Sequence, residues 1–317
     1  MDSESGTSGG PAGGRAPWPV RRLFPLLATV IMAAAGMAGT IWGPRLYGKT
    51  AWALPDDLWG TLIAAQRLAH LDLGGLYTLP TQLVSLPGAA IILVPAIAVI
   101  DLTGLPLTVP HAHGAYPSLW LFAGPYQVAI SAVALFATDA IAEHLGATRP
   151  KRFWLAAASA TALWSVTVRW GHPEDAVAIG LLLYAILALA DSKPAGSAWP
   201  AGRWDGQALT EFLWWTAVAL AIRSAFEPVM VAYYLWPPLA VALAAAARDW
   251  SRLLPAGCTA VGLTFFSQIS WRDPWAWWTP MVAGLALTLF FARPRTSRPA
   301  PQVLPEPGEQ LAADGAP

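Results

Sequence analysis

Trp170-Gly171-His172-Pro173-Glu174-Asp175 is a polar tip between two apolar runs, 153–170 and 176–190. A turn between two membrane-length helices needs the Gly and the Pro; it has no need of an imidazole and two adjacent carboxylates. The tip therefore carries more than turn chemistry. It predicts a helical hairpin with ionisable groups at its end, and the rest of the chain repeats that plan.

Composition supports the reading. Of 317 residues, 56% are hydrophobic, 18 are Trp and only 12% are charged, about half the charged fraction of a soluble domain. The formal net charge is zero, so no basic surface for nucleic acid is expected. Cys258 is the single cysteine, which excludes an intrachain disulfide and a cysteine-built zinc site. Neither a soluble domain nor a Gly-rich phosphate loop is visible.

Outward from the tip, apolar segments occupy 23–42, 83–104, 119–145, 153–170, 176–190, 208–225, 228–247, 253–270 and 275–292. The fold class expected is all-α, a polytopic transmembrane bundle of about eight crossings with one broken segment and an interfacial helix. Residues 1–20 and 293–317, rich in Gly, Ser and Pro, read as disordered cytoplasmic tails around a transmembrane domain at 21–292. The run at 23–42 follows Arg21 and Arg22. It has the flanks of a secretory signal and the length of a span, and is read as an uncleaved first helix. The connection 43–82 holds a short amphipathic helix at Leu58–Leu71, suited to the membrane interface, with Asp57 as its cap.

Basic residues give the orientation. Arg149/Lys151/Arg152, Lys193/Arg203, Arg248/Arg252 and Arg293/Arg295/Arg298 recur after every second segment. Placed inside with the N-terminal arginines, they put 13 of the 19 basic residues in the cytoplasm. The tips 171–175, 223–227 and 271–274, and the loop 43–82, then face outward. Both ends inside require an even number of crossings. The segment 83–104, interrupted by Pro87-Gly88 and Pro95 and carrying Asp101, is expected to re-enter rather than cross.

The outer face then collects Asp56, Asp57, His111, His113, Arg169, His172, Glu174, Asp175, Arg223, Glu227, Arg272 and Asp273. Arg272-Asp273 between Trp271 and Trp275 reads as a self-paired tip in an aromatic belt. Arg223 and Glu227 are spaced as a structural ion pair, or as a guanidinium fork for phosphate oriented by a carboxylate. The pairs Asp56-Asp57 and Glu174-Asp175 open helices, supply a general base, or hold a divalent cation against a phosphate. His172 is an extra ligand or proton carrier. His111-x-His113 sits in a Pro/Gly loop, not on one helix face, so a four-ligand metal site is not expected. His70 and His144 read as packing or interfacial residues. Asp101 and Asp139 are the deep acids that a transporter would use.

A carboxylate pair in a long first outer loop, with a polar face built from later tips, resembles the GT-C class of membrane glycosyltransferases. The strings LYTLPTQLVSLPG at 76–88, GHPEDAVAIGLLLYA at 171–185 and RSAFEPVMVAYYLWP at 223–237 are also similar to uncharacterised bacterial multi-pass proteins of that layout. The resemblance covers roughly residues 20–292. It implies a protein of the bacterial inner (plasma) membrane that takes a sugar from a polyprenyl-phosphate donor at the outer face. Asp56 or Asp57 would activate the acceptor hydroxyl, and Arg223 would hold the lipid phosphate. The expected partners are membrane lipid and that donor; no cofactor is expected beyond an optional divalent cation. The rival expectation is a non-catalytic membrane protein, either a transporter or a scaffold for envelope assembly.

Overall fold

The computed structural model describes residues 17–47, 56–78, 87–104, 117–191, 204–226, 232–268 and 274–295. Within them the chain is all-helical, without a strand. The order is α1 (Trp18–Arg21), α2 (Leu23–Tyr47), α3 (Asp56–Ala69), α4 (Gly88–Thr103), α5 (Pro117–His144) and α6 (Arg149–Trp164). A π-helical stretch, Ser165–Trp170, leads to α7 (Pro173–Asp191) and then α8 (Gly206–Ala225). A 3₁₀ turn, Ala232–Leu235, leads into α9 (Trp236–Ala246), followed by α10 (Trp250–Ser267) and α11 (Pro274–Ala292). Among the described residues, three helices are long and apolar enough to cross a membrane: Phe122–His144 of α5, Pro173–Asp191 (α7) and Trp275–Ala292 of α11. This is a helical membrane protein.

Local chemistry sets the helix ends. Asp205 caps α8 by accepting from the Ala208 N–H at 2.6 Å, and Asp249 caps α10 by accepting from the Ser251 N–H at 3.0 Å. Pro150 and Pro237 fall in the first turns of α6 and α9, where a missing N–H is harmless. Gly146, at φ 75°, closes α5 in a left-handed conformation that a side chain would strain.

The core is built round α9. All eleven of its residues are buried, five of them alanine, and it packs against α5, α6, α7, α8, α10 and α11. The apolar run 228–247 is therefore not one continuous helix. Pro237-Pro238 halts the α-helix at Trp236, and a 3₁₀ turn precedes it. At 1.5 Å per residue α9 is roughly 16 Å long, shorter than a bilayer core. Irregular backbone at that depth is tolerable where surrounding helices bury it.

The helices share one basic end. Arg21 and Arg22, before α2, bond to Asp139 and Glu143 near the end of α5, and Arg152, near the start of α6, joins them. Arg252, near the start of α10, donates to the carbonyls of Ala245 and Ala292 at the ends of α9 and α11. The starts of α2, α6 and α10 therefore lie with the ends of α5, α9 and α11. Gly180 meets Val133 and Ala134, and His144 lies 3.5 Å from Asp191, so α5 and α7 run parallel and in register. The opposite end carries the polar tip.

Two expectations are corrected. The second and third hairpins pack as helix pairs, α8 on α9 and α10 on α11, but in the first hairpin α7 leaves α6 and packs chiefly on α5. The wide π turn, with Gly171 at φ 72°, opens the angle between them. α3 already begins at Asp56, so Asp57 falls inside its first turn and not at the position before it.

Candidate functional site

The polar tip is assembled from two parts of the chain. At the end of α6 the backbone widens to i→i+5 bonding over Ser165–Trp170. The Val166 carbonyl accepts the N–H groups of Gly171 and, at 3.0 Å, of His172. This wide turn brings His172 back over the bundle, where its Nδ1 and Glu174 Oε1 share a 2.7 Å hydrogen bond. Both side chains are half-buried, so the contact is screened less than a surface ion pair.

The second part is the end of α8 and the 3₁₀ turn. The Ser224 hydroxyl donates to the Tyr234 carbonyl at 2.7 Å and fixes the turn against the helix. Tyr233 stacks on the His172 ring at 4.1 Å between centroids and touches Trp170 edge-on at 5.8 Å. Tyr234 follows at 4.5 Å from Tyr233, and the Arg223 guanidinium lies 5.7 Å from the Tyr234 ring centre. The series Glu174, His172, Tyr233, Tyr234, Arg223 is thus continuous in space. Asp175 stands beside it, within coulombic reach of Glu174, His172 and Arg223.

Of the residues the sequence nominates, the structure gathers His172, Glu174, Asp175 and Arg223. Arg169 lies exposed on the π stretch of the same tip. Asp56 and Asp57 open α3, which packs chiefly against α4; their side chains lie outside the described residues. Glu227, His111, His113, Arg272 and Asp273 lie outside them altogether. Among the described residues no cluster of three or more His, Cys, Asp and Glu could hold a metal ion.

Three residues at the level of the tip were not evident from sequence. Tyr233 and Tyr234 look like ordinary belt aromatics in sequence; only the fold shows them between the histidine and the arginine. Gln127 of α5 stands level with the start of α7 by the parallel register, and its buried Oε1 has no hydrogen-bond partner among the described residues. A glutamine inside an apolar span was the available signal.

Beneath the tip runs an apolar groove of about 550 Å³ between α2, α6 and α10. Its walls are large (Phe24, Ile31, Phe153, Phe265) and its floor is alanine, including Ala156, Ala157 and Ala160. From Phe153 to Trp164 it follows α6 for roughly 16 Å. At the tip end it reaches Gln268, whose amide donates to Ser165 Oγ at 3.0 Å, at the start of the π stretch.

The transport acids are both engaged. Asp139 is held by Arg22 and Arg152, and Asp101 lies 3.5 Å from Gln66 Nε2 and 3.8 Å from His70. Comparison with protein-family models, curated proteins and solved structures finds no match for this chain.

Proposed function

We propose that the protein is a multi-pass enzyme of the bacterial inner membrane that transfers a sugar from a polyprenyl-phosphate donor at the outer face. The observation that carries the reading is the apolar groove ending at Gln268, which bonds to Ser165 at the start of the π stretch that leads to the mixed acidic and basic tip. A polyprenyl tail fits the groove chemically, since it offers carbon surface to Phe24, Ile31 and Phe265. Arg223 and the exposed Arg169 supply guanidinium forks for the phosphate at the boundary.

In this reading eight elements cross: α2, α5, α6, α7, α8, the 3₁₀ turn with α9, α10 and α11. α3 and α4 stay together on the outer side without a net crossing. The shared basic end, facing the cytoplasm, supports that count.

The acceptor hydroxyl attacks the sugar's anomeric carbon, the bond from that carbon to the phosphate oxygen breaks, and polyprenyl phosphate leaves. The hydroxyl proton passes to a carboxylate. Asp56 or Asp57 takes this role by the GT-C resemblance; Asp175, beside Glu174 and His172, takes it by position. The pairing of Asp139 with two arginines leaves the transporter reading without its best acid.

The test is transfer of radiolabelled sugar from polyprenyl phosphate to a saccharide acceptor by protein in proteoliposomes. Wild-type transfer, lost in both D56N/D57N and E174Q/D175N, is expected for a site drawing on both pairs. No transfer by the wild type, or unchanged transfer in both variants, would overturn the proposal.

A further inference from the structure

The basic end holds a second polar cavity, far from the tip, that the proposed reaction does not use. It measures about 750 Å³ and is lined by Arg21, Arg22, Glu143, His144, Arg149, Arg152, Asp191 and Gly206 among others. That volume is of the size that small ligands occupy.

Its charges do not cancel. Arg21 forks onto Glu143 at 2.9 and 3.0 Å. Arg22 reaches Asp139 at 2.9 Å and Glu143 at 2.6 Å, and Arg152 forks onto Asp139. Three guanidinium groups thus face two carboxylates. His144 lies 3.5 Å from Asp191, and with a neutral imidazole that carboxylate offsets the third guanidinium, so the surplus rests on the cations that follow. Arg149 adds a positive charge with no hydrogen bond or ion pair among the described residues. Arg248, exposed and just outside the lining, stands at the edge, its Nη1 lying 3.1 Å from where a Cβ on Gly206 would stand. Lys151 is tied to the Arg248 carbonyl at 2.5 Å and holds that corner together.

The backbone adds to this field. α6 starts at the rim, and Thr148, extended before it, makes no side-chain cap; Pro150 has no N–H and the Arg152 N–H goes to the Thr148 carbonyl, which leaves the Arg149 and Lys151 amides as the donors of this turn. Asp205 is the nearby exception; it is spent on capping α8.

We infer that this cavity binds a phosphate or phosphate ester, with Arg149 and Arg248 as the two unspent cations that close on it and the Arg21–Arg22–Arg152 network as its fixed floor. A phosphate could come from an anionic lipid headgroup of the inner leaflet or from a soluble cytoplasmic phosphate ester. The recognition chemistry is the same for both.

The experiment uses the full chain. In one arm, native mass spectrometry counts phosphatidylglycerol retained from nanodiscs that contain it with phosphatidylcholine. In the other, sodium pyrophosphate is titrated into protein in a neutral detergent. Arg149→Gln and Arg248→Gln, singly and together, are compared with wild type. Both side chains are exposed and outside the buried network, so their unfolding temperature without anion should match wild type and report intact folding. Retention of phosphatidylglycerol alone, weakened roughly tenfold or more by the double change, identifies a lipid site. Pyrophosphate binding alone, weakened likewise, identifies a soluble phosphate ester. Binding in neither arm, or binding that both substitutions leave unchanged, overturns the inference.

Discussion

Arg152 grips Asp139 with a two-pronged fork, Nε to Oδ1 at 2.7 Å and Nη2 to Oδ2 at 2.5 Å, and so ties the start of α6 to the end of α5. Arg22 completes the clamp from the start of α2. Asp139 is only 2% exposed, so removing it would leave Arg22 and Arg152 to share Glu143, already bonded to Arg21, as their one counter-charge. Asp139→Ala should cost about 3–5 kcal/mol, read from unfolding in detergent. Arg22→Gln should cost less, because Arg152 still satisfies both carboxylate oxygens.

Gly180 is the close-approach point of α7 on α5. A Cβ there would stand 2.8 Å from Val133 Cγ1 and 3.0 Å from the Ala134 backbone nitrogen. Backbone cannot retreat as a flexible side-chain end can, so larger residues must spread the helices. Gly180→Leu is expected to destabilise by about 1–3 kcal/mol or more, with Gly180→Ala nearer the low end. The same unfolding measurement ranks the two.

The cap at Asp249 predicts a pH dependence. Partial burial pushes its carboxyl up, but the Ser251 N–H and hydroxyl and the Arg295 guanidinium outweigh that and hold it below the ordinary value of 3.8. A depressed folded value means the stabilisation is complete above the ordinary carboxylate range and fades as pH falls through the folded value. Asp249→Ala should therefore cost about 1 kcal/mol near neutrality, and the gap to wild type should narrow in acid. Thermal unfolding at pH 7 and pH 3 checks the sign.

If the groove takes a lipid tail, filling its alanine floor should exclude it. Ala157→Trp places an indole into the space beside Phe153 and Trp164 without touching the tip. The expected outcome is loss of most co-purifying polyprenyl lipid, measured by lipid mass spectrometry, with little change in unfolding temperature.

At the tip, Arg223→Lys keeps the charge but loses the planar fork and its place against Tyr234. If the protein transfers sugar as proposed, transfer should fall roughly tenfold, chiefly through weaker donor binding. A change in the turnover number at unaltered donor KM would contradict the role given to Arg223.

Much of the architecture is legible from residue order because a membrane helix is a local object. Twenty apolar residues with charges at the ends need no distant partner to be recognised, so α2, α5, α7 and α11 lie where hydropathy puts them. The clustering of arginines at one end follows from their recurrence after every second segment. Turn chemistry carries the tip, since Gly171 and Pro173 mark it wherever the chain is packed.

What residue order could not decide was set by packing. The run 228–247 has the hydropathy of a spanning helix, yet only burial inside six neighbours lets its backbone change from 3₁₀ to α around Pro237-Pro238. Asp139 reads as a lone deep acid until Arg22, from a segment 117 positions earlier, is brought to 2.9 Å. Tyr233 and Tyr234 acquire a place at the tip only because α8 ends beside the π turn. Hydropathy is summed along the chain, so the sequence by itself determined the helices and the end at which the arginines gather. Pairing of charges and stacking of rings are summed across space, and these the tertiary structure alone decided.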